Sequence, residues 1–138
     1  MGQLDRSGSP LRVLAVADHP TNRTVFEMIL ELAAARVVCV EDGAQAVDAY
    51  RTSKFDIILM DLQMPVNGVT ATREIRRIEA EQGMPRTPLL VVTANTMSEQ
   101  LLQAKAAGAD CHMGKPITPE TLLEAMDKAM DAAARAAA

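Results

Sequence analysis

Apolar runs alternate along the chain with segments of helical periodicity. The apolar runs lie at 11–17, 36–41, 56–60, 88–94 and, more weakly, 111–114. The first four are rich in Val, Ile and Leu and do not alternate with polar residues, a pattern typical of strands that are covered on both faces. The pattern therefore predicts five short strands.

The segments that follow these runs predict five helices, because their apolar residues recur every three or four positions. The first helix places Val25, Ile29 and Leu32 on one face, with Met28 beside them. We expect the methionines at helical spacing to fill the core, and we expect Met97 to be exposed. The apolar faces predicted for the second, third and fifth helices are Ala46, Val47 and Tyr50; Ala71, Ile75 and Ile78; and Leu122, Met126, Ala129 and Ala133.

Two of the predicted helices carry recognisable starting residues. Thr96 and Glu99 have the spacing of a capping box at the start of the fourth helix. Thr118 is predicted to be the N-cap of the fifth helix, with Pro119 as its first residue. The longest connection, at 79–88, is predicted to be a helix end followed by an exposed loop.

The order of these elements predicts the fold class. No predicted strand is followed by a two-residue turn, so consecutive strands should run parallel through right-handed crossovers. This predicts an α/β fold, a doubly wound domain around a five-stranded parallel sheet, and we expect it to span residues 11–131. Residues 1–10 are expected to form a flexible leader or linker, and residues 132–138 an alanine-rich helical tail.

Composition and charge narrow the class of protein. The only aromatic residues are Phe26, Tyr50 and Phe55, so the core must be aliphatic. The net charge is −4 and Lys and Arg do not cluster, which argues against nucleic-acid binding. No apolar stretch approaches the roughly 20 residues that span a bilayer, so no direct membrane contact is expected. Cys39 and Cys111 lack CxxC spacing and are expected to be free thiols in a cytoplasmic protein, with Cys39 in the core.

Chemically reactive side chains stand where the predicted strands end. In an open parallel sheet, ligands bind beyond the carboxyl ends of the strands. Two nearby carboxylates favour Mg²⁺, and a carboxylate can attack phosphorus while a hydroxyl and an ammonium stabilise the phosphoryl oxygens. The strand ends therefore predict a phosphoryl-accepting site made of Asp18, Asp61, Thr93 and Lys115.

At these residues the chain resembles the response-regulator receiver domains of two-component signalling, over about residues 11–130. The stretches that carry the resemblance are "VADHPTNR", "ILMDLQMP", "VVTAN" and "AGADCHMGKPITPE". The resemblance implies a flavodoxin-like (βα)5 fold with strand order 2-1-3-4-5, and a signalling domain rather than an enzyme. The stretch "VVTAN" and the loop before it are most similar to receivers of hybrid histidine kinases, so we expect the chain to be one domain of a larger protein.

The resemblance also implies roles for single residues. Asp61 would accept the phosphoryl group from a phosphohistidine on a histidine kinase or a histidine phosphotransfer domain. Asp18, Asp61 and the backbone carbonyl of Gln63 would hold Mg²⁺. Thr93 and Lys115 would contact the phosphoryl group.

Further implications concern the switch that follows phosphorylation. Thr93 would move toward the phosphoryl group, and His112 stands where receivers usually carry an aromatic residue that swings inward. The Lys115–Pro116 peptide bond is expected to be cis. The signal would leave through the fourth helix, the fifth strand and the fifth helix.

The chain departs from the family pattern near the predicted acceptor. Receivers normally carry two adjacent acids after the first strand, whereas here Ala17 precedes Asp18. We therefore expect weaker Mg²⁺ binding and slower phosphotransfer. The stretch "MPVNG" is one residue shorter than is usual, which could re-aim the loop that supplies the Gln63 carbonyl. At the position of His112, an inward state of the imidazole would depend on its protonation.

Simpler structural interpretations stand beside these roles. Asp61 could be a turn residue and Asp18 the N-cap of the first helix. Thr93 could be an ordinary strand residue and Lys115 a solvated surface lysine. His112 is most simply an exposed polar residue.

Other functions of the same fold make different demands on the sequence. A degenerate pseudo-receiver, acting as a phosphorylation-independent interaction module, is the alternative suggested by Ala17 and the short loop. A flavodoxin would need a Ser/Thr/Gly-rich loop after the first strand, which "ADHPTNR" does not supply. A phosphatase of the haloacid dehalogenase type would need a second aspartate at the position of Gln63.

Overall fold

The computed structural model of the chain describes residues 10–62, 67–95 and 97–137. Within these residues five strands alternate with five helices, as the apolar pattern predicts. In chain order they are β1 (Arg12–Val16), α1 (Pro20–Leu32), β2 (Arg36–Val40), α2 (Gly43–Thr52), β3 (Ile57–Asp61), α3 (Asn67–Gln82), β4 (Leu89–Thr93), α4 (Glu99–Ala107), β5 (Cys111–Gly114) and α5 (Pro119–Ala137).

The five strands form one parallel sheet with the order β2-β1-β3-β4-β5, which confirms the predicted fold. The strand β3 lies at the centre, and all five of its residues are buried. Asp61 is the last residue of this strand and pairs with Val92 of β4, while Val16 of β1 pairs with Met60. The sequence pattern predicted that β3 would end one residue earlier, so the acid belongs to the strand itself.

Aliphatic side chains fill both faces of the sheet. One core cluster packs under α1 and α5 and the other under α2, α3 and α4. The buried faces predicted for α2, α3 and α5 are confirmed, with Val47 only partly buried. Cys39 and Cys111 are free thiols. Burial, together with the neighbouring Glu27 carboxylate, raises the pKa of Cys39 to about 12.

The predicted apolar face of α1 is wrong at two positions. Leu32 is 79% exposed and Met28 is 60% exposed, whereas Phe26, Leu30 and Ile29 are buried. Phe26 and Leu30 are four residues apart and set the stripe that faces the sheet. Met28 and Leu32 are therefore on the opposite side of the helix, and Met28 does not fill the core.

The observed starts of α4 and α5 agree in part with those predicted from the sequence. Thr118 Oγ1 accepts a hydrogen bond of 3.2 Å from the backbone N–H of Thr121, so α5 begins at Pro119 as predicted. In α4 the N-cap is Ser98, which makes Glu99 the first helical residue rather than the third residue of a capping box. The other member of the predicted box, Thr96, lies outside the described residues. Met97 is exposed, as expected.

The connection at 79–88 is a helix end followed by a loop in which Gly83 and Pro85 are exposed, as predicted, and it is tied into the fold at both ends. Glu79 is 6% exposed and Thr87 is also buried. Glu79 Oε2 accepts hydrogen bonds from the Tyr50 hydroxyl (2.7 Å) and the backbone N–H of Thr87 (2.8 Å). Burial raises the pKa of Tyr50 to about 12.

Arg76 joins this connection to the start of β5. Its guanidinium donates to Glu79 (2.8 Å), to Asp110 Oδ2 (2.8 Å) and to the carbonyl of Gly108 (3.0 Å). Arg86 donates to the other oxygen of Asp110 (2.7 Å). These residues form an ionic network at the amino ends of β4 and β5, the edge of the sheet opposite Asp61.

Among the residues that the structure describes, no helix is long and apolar enough to cross a membrane.

Candidate functional site

Asp61 ends the central strand and is the most buried carboxylate of the predicted site, with 1% of its surface exposed. Strand residues alternate between the two faces of a sheet. Leu59, two residues earlier, belongs to the core cluster under α1 and α5. The Asp61 side chain lies on the same face, next to α1 and the residues that precede α5.

Two donors meet on one oxygen of this carboxylate. The Asn22 amide donates to Oδ2 of Asp61 at 2.7 Å, and the Lys115 ammonium lies 3.3 Å from the same oxygen. A buried carboxylate needs such donors, because burial without them costs several kcal/mol, on the order of 3–5 when a charged partner is removed. The predicted convergence of Asp61 and Lys115 is thus present in the structure, and the solvated-surface interpretation of Lys115 is wrong.

The end of β1 brings Ala17 and Asp18 to the same edge. Val16 pairs with Met60, so the next step of the register sets Ala17 beside Asp61. Ala17 is fully buried, whereas the Asp18 side chain is exposed. The N-cap of α1 is His19, whose Nδ1 accepts from the backbone N–H of Thr21 at 3.2 Å. The interpretation of Asp18 as N-cap is therefore wrong.

Arg23 fixes the backbone of this segment. Its Nη1 donates to the carbonyls of Ala17 (2.8 Å) and Asp18 (2.9 Å). The guanidinium also lies 3.7 Å from the carboxylate of Glu41, which follows β2. The loop that carries Asp18 is thus held between α1 and the end of β2.

Thr93 ends β4 and is buried. Its hydroxyl donates to the carbonyl of Asn95 and accepts from the backbone N–H of Asn95, both at 3.1 Å. The Thr93 carbonyl accepts from the backbone N–H of Lys115 at 2.9 Å. Thr93 and Lys115 are therefore adjacent at the sheet edge. The Lys115–Pro116 bond is cis, as expected.

His112 lies on β5 and pairs with Val91 of β4. It is partly buried, so the interpretation as an exposed polar residue is wrong. Burial lowers the pKa of His112, and the positive charge of Lys105 lowers it further. Both effects favour the neutral imidazole.

The donors at this edge fit a hard divalent cation in chemical type. Asp18 and Asp61 offer carboxylate oxygens, which Mg²⁺ prefers and usually complements with water. The third predicted ligand, the Gln63 carbonyl, and most of the "MPVNG" stretch lie outside the described residues. Within the described ranges, no group of three or more His, Cys, Asp or Glu side chains is placed to hold a metal, at this edge or elsewhere.

Sequence reasoning missed Asn22 and Arg23 as members of the site. Both lie in "VADHPTNR", one of the stretches that carry the family resemblance, and both are in the first two turns of α1. Their contacts are with residues before the helix and with a strand far along the chain. The one signal that the sequence offers is that Asn22 and Arg23 are polar and come shortly after the end of β1.

Comparison with known proteins gives a consistent result. Residues 13–127 match the sequence model of the response regulator receiver domain. The chain is 38% identical over 118 residues to the sensor protein GacS of Pseudomonas syringae pv. syringae, covering 85% of this chain and 13% of that protein. It is 33% identical over 117 residues to the sensory/regulatory protein RpfC of Xanthomonas campestris pv. campestris, covering 84% of this chain and 16% of that protein. The chain thus spans less than a fifth of these relatives.

Solved structures are similar over most of the chain. The receiver domain of sensor histidine kinase PA1611 from Pseudomonas aeruginosa PAO1 has 33% identity and a TM-score of 0.78, covering 89% of this chain and 99% of that one. That structure has a magnesium ion coordinated in its active site cleft. Vibrio cholerae chemotaxis protein CheY4 has 30% identity and a TM-score of 0.78, covering 88% and 99%.

Proposed function

The chain belongs to the response regulator receiver domain family of two-component signalling, and we propose that it is a phosphoacceptor domain whose acceptor is Asp61. The observation that carries this proposal is the convergence of Asn22 and Lys115 on Oδ2 of a buried strand-end carboxylate. A carboxylate held in this way at the carboxyl edge of a parallel sheet is positioned to act as a nucleophile.

The proposed step transfers a phosphoryl group from a phosphohistidine. An oxygen of Asp61 forms a bond to phosphorus while the N–P bond breaks, and its electron pair returns to the imidazole nitrogen, which then takes a proton from water. Lys115 offsets negative charge on the phosphoryl oxygens. The Thr93 hydroxyl would exchange its contact with Asn95 for one with the phosphoryl group.

Asp18, Asp61 and the Gln63 carbonyl would hold Mg²⁺ in this domain. When bound, the cation neutralises charge on the transferring phosphoryl group. The similar PA1611 receiver, with magnesium in its active site cleft, supports this assignment. Ala17 supplies no carboxylate where receivers usually have one, so we expect Mg²⁺ to bind more weakly here.

The proposed phosphodonor is a histidine kinase or a histidine phosphotransfer domain, and the proposed setting is one domain of a larger cytoplasmic hybrid kinase. The similarity to GacS and RpfC supports this setting. Met28 and Leu32 are exposed on α1, the helix whose first turn delivers Asn22 to Asp61. A partner that reaches the acceptor over α1 would cover these two apolar side chains.

The proposed output is a change in the face made of α4, β5 and α5. Thr93 closes β4, next to β5, and His112 lies on β5 near the exposed Lys105 of α4. Movement of Thr93 toward a phosphoryl group would open space beside it. His112 is the side chain that we propose fills this space.

A pseudo-receiver is the second candidate, and Ala17 is the observation that favours it. In that case the chain would bind a partner without being phosphorylated. Incubation with acetyl phosphate and Mg²⁺, followed by intact-mass measurement, separates the two candidates. An increase by one phosphoryl group that disappears in Asp61→Asn supports the phosphoacceptor, whereas an unchanged mass supports the pseudo-receiver.

A further inference from the structure

We infer that Asn22 is a positioning residue for the acceptor carboxylate, an inference that rests on the function proposed above. The amide nitrogen lies 2.7 Å from Oδ2 of Asp61, a short distance for an N–H donor. The accepting carboxylate is 1% exposed, so this hydrogen bond is shielded from competition with water.

The local structure of α1 directs this side chain to the sheet. His19 caps the helix through Nδ1, and its carbonyl accepts from the backbone N–H of Asn22 at 3.1 Å. The first turn is thus anchored by its own backbone bonds. The Asn22 side chain is left to span from the third residue of α1 to the end of β3.

The chemical character of Asn22 matters because of the residue beside Asp61. Ala17 directly follows Val16, just as Asp61 directly follows Met60, the residue with which Val16 pairs. The Ala17 side chain has no charge. An amide can orient a carboxylate without adding a second negative charge next to it. Asn22 therefore supplies orientation at Oδ2, while Lys115 at 3.3 Å supplies charge compensation.

Orientation before the donor arrives should accelerate phosphoryl transfer. A nucleophile held in one rotamer loses less entropy on alignment with phosphorus. In the transfer, the bond from an Asp61 oxygen to phosphorus forms and the bond from phosphorus to the leaving group breaks, with the electron pair going to the leaving group. Asn22 keeps its proton throughout and donates it only as a hydrogen bond.

The test uses acetyl phosphate as donor and measures the initial rate of acyl-phosphate formation over a series of Mg²⁺ concentrations. Asn22→Ala and Asn22→Ser both remove the amide, and Thr21→Ala changes an exposed neighbour in the same helical turn. We expect the maximal rate to fall about tenfold in both Asn22 variants, the size of one hydrogen bond to a charged group. The Mg²⁺ concentration at half-maximal rate should stay within about twofold, as should both quantities in Thr21→Ala.

Two results would overturn the inference, and they are distinguishable. If the wild type is labelled on Asp61 and both Asn22 variants, folded by circular dichroism, reach the wild-type maximal rate, the positioning role alone is wrong. If the wild type acquires no label on Asp61, the proposed function fails and the inference fails with it. A tenfold loss that Asn22→Gln partly restores supports the positioning role, because a general packing defect would not depend on an amide.

Discussion

The amide of Asn22 and the carboxylate of Asp61 are 39 positions apart in the sequence, yet their nitrogen and oxygen atoms are 2.7 Å apart. The contact joins the first turn of α1 to the carboxyl end of β3. It places a neutral donor against the carboxylate of Asp61, the proposed acceptor. The residue beside Asp61 at the end of β1, Ala17, is also uncharged. We therefore propose that two different side chains act on the proposed acceptor, Asn22 by orienting its carboxylate and Lys115 by compensating its charge.

Removing the positive charge of Lys115 should slow phosphorylation of Asp61 more than removing the charge of an exposed lysine. We expect Lys115→Met to lower the rate of labelling by acetyl phosphate about a hundredfold, the usual loss when one preorganised donor to a developing charge is removed. Lys105→Met, which changes an exposed lysine of α4, is the matched control and should label at the wild-type rate. Equal rates for the two variants would contradict the role given to Lys115.

Restoring an acid at position 17 should strengthen Mg²⁺ binding. Ala17→Asp sets a second carboxylate beside Asp61, so without metal it should unfold at a lower temperature than the wild type. Thermal unfolding over a Mg²⁺ series should show half-saturation at about tenfold lower concentration, because affinity rises with ligand charge. Ala17→Asn, uncharged and of similar size, should show no such gain, and an identical response of both variants would refute the explanation.

The ionic network at the opposite edge of the sheet should contribute to stability. Arg76→Met leaves the buried carboxylates of Glu79 and Asp110 without their shared partner, which should lower the free energy of unfolding by about 3 kcal/mol. Arg77 pairs with Glu74 and Glu81 on the surface. Arg77→Met should cost less than about 1 kcal/mol, and urea unfolding of both variants measures the difference.

The lowered pKa of His112 predicts a pH dependence of stability. The folded state favours the neutral imidazole, so the unfolded chain binds more protons between the folded-state pKa and the ordinary value of 6.5. Stability should therefore fall as the pH falls below about 6.5. Urea unfolding from pH 7.5 to 5.5 should show this loss in the wild type and less of it in His112→Gln. If the free energy of unfolding of the wild type changed with pH in parallel with that of His112→Gln, the role given to His112 would be contradicted.

The features that could be predicted from the sequence are those set by the residue pattern within a single segment of the chain. Continuous apolar runs identify strands buried on both faces, and the residues at their carboxyl ends include Asp61, the proposed acceptor, and Lys115. The contact of Asn22 with Asp61 could not be predicted, because it depends on the angle at which α1 crosses the sheet. The exposure of Leu32 could not be predicted either. Its spacing from Val25 and Ile29 predicts a buried face, but in the structure its side chain is exposed to solvent. The partnership of Arg76 with Asp110 joins residues 34 positions apart, and no local pattern marks it.

The most direct test of the central claim is to map the phosphorylated residue. The chain is incubated with acetyl phosphate in Mg²⁺ and, in parallel, in EDTA, and the acyl phosphate is located by peptide mass spectrometry after reduction with borohydride. The account predicts a Mg²⁺-dependent modification on Asp61 that is absent from Asp61→Asn. Modification of a different residue, or none on Asp61 at saturating Mg²⁺, would contradict it.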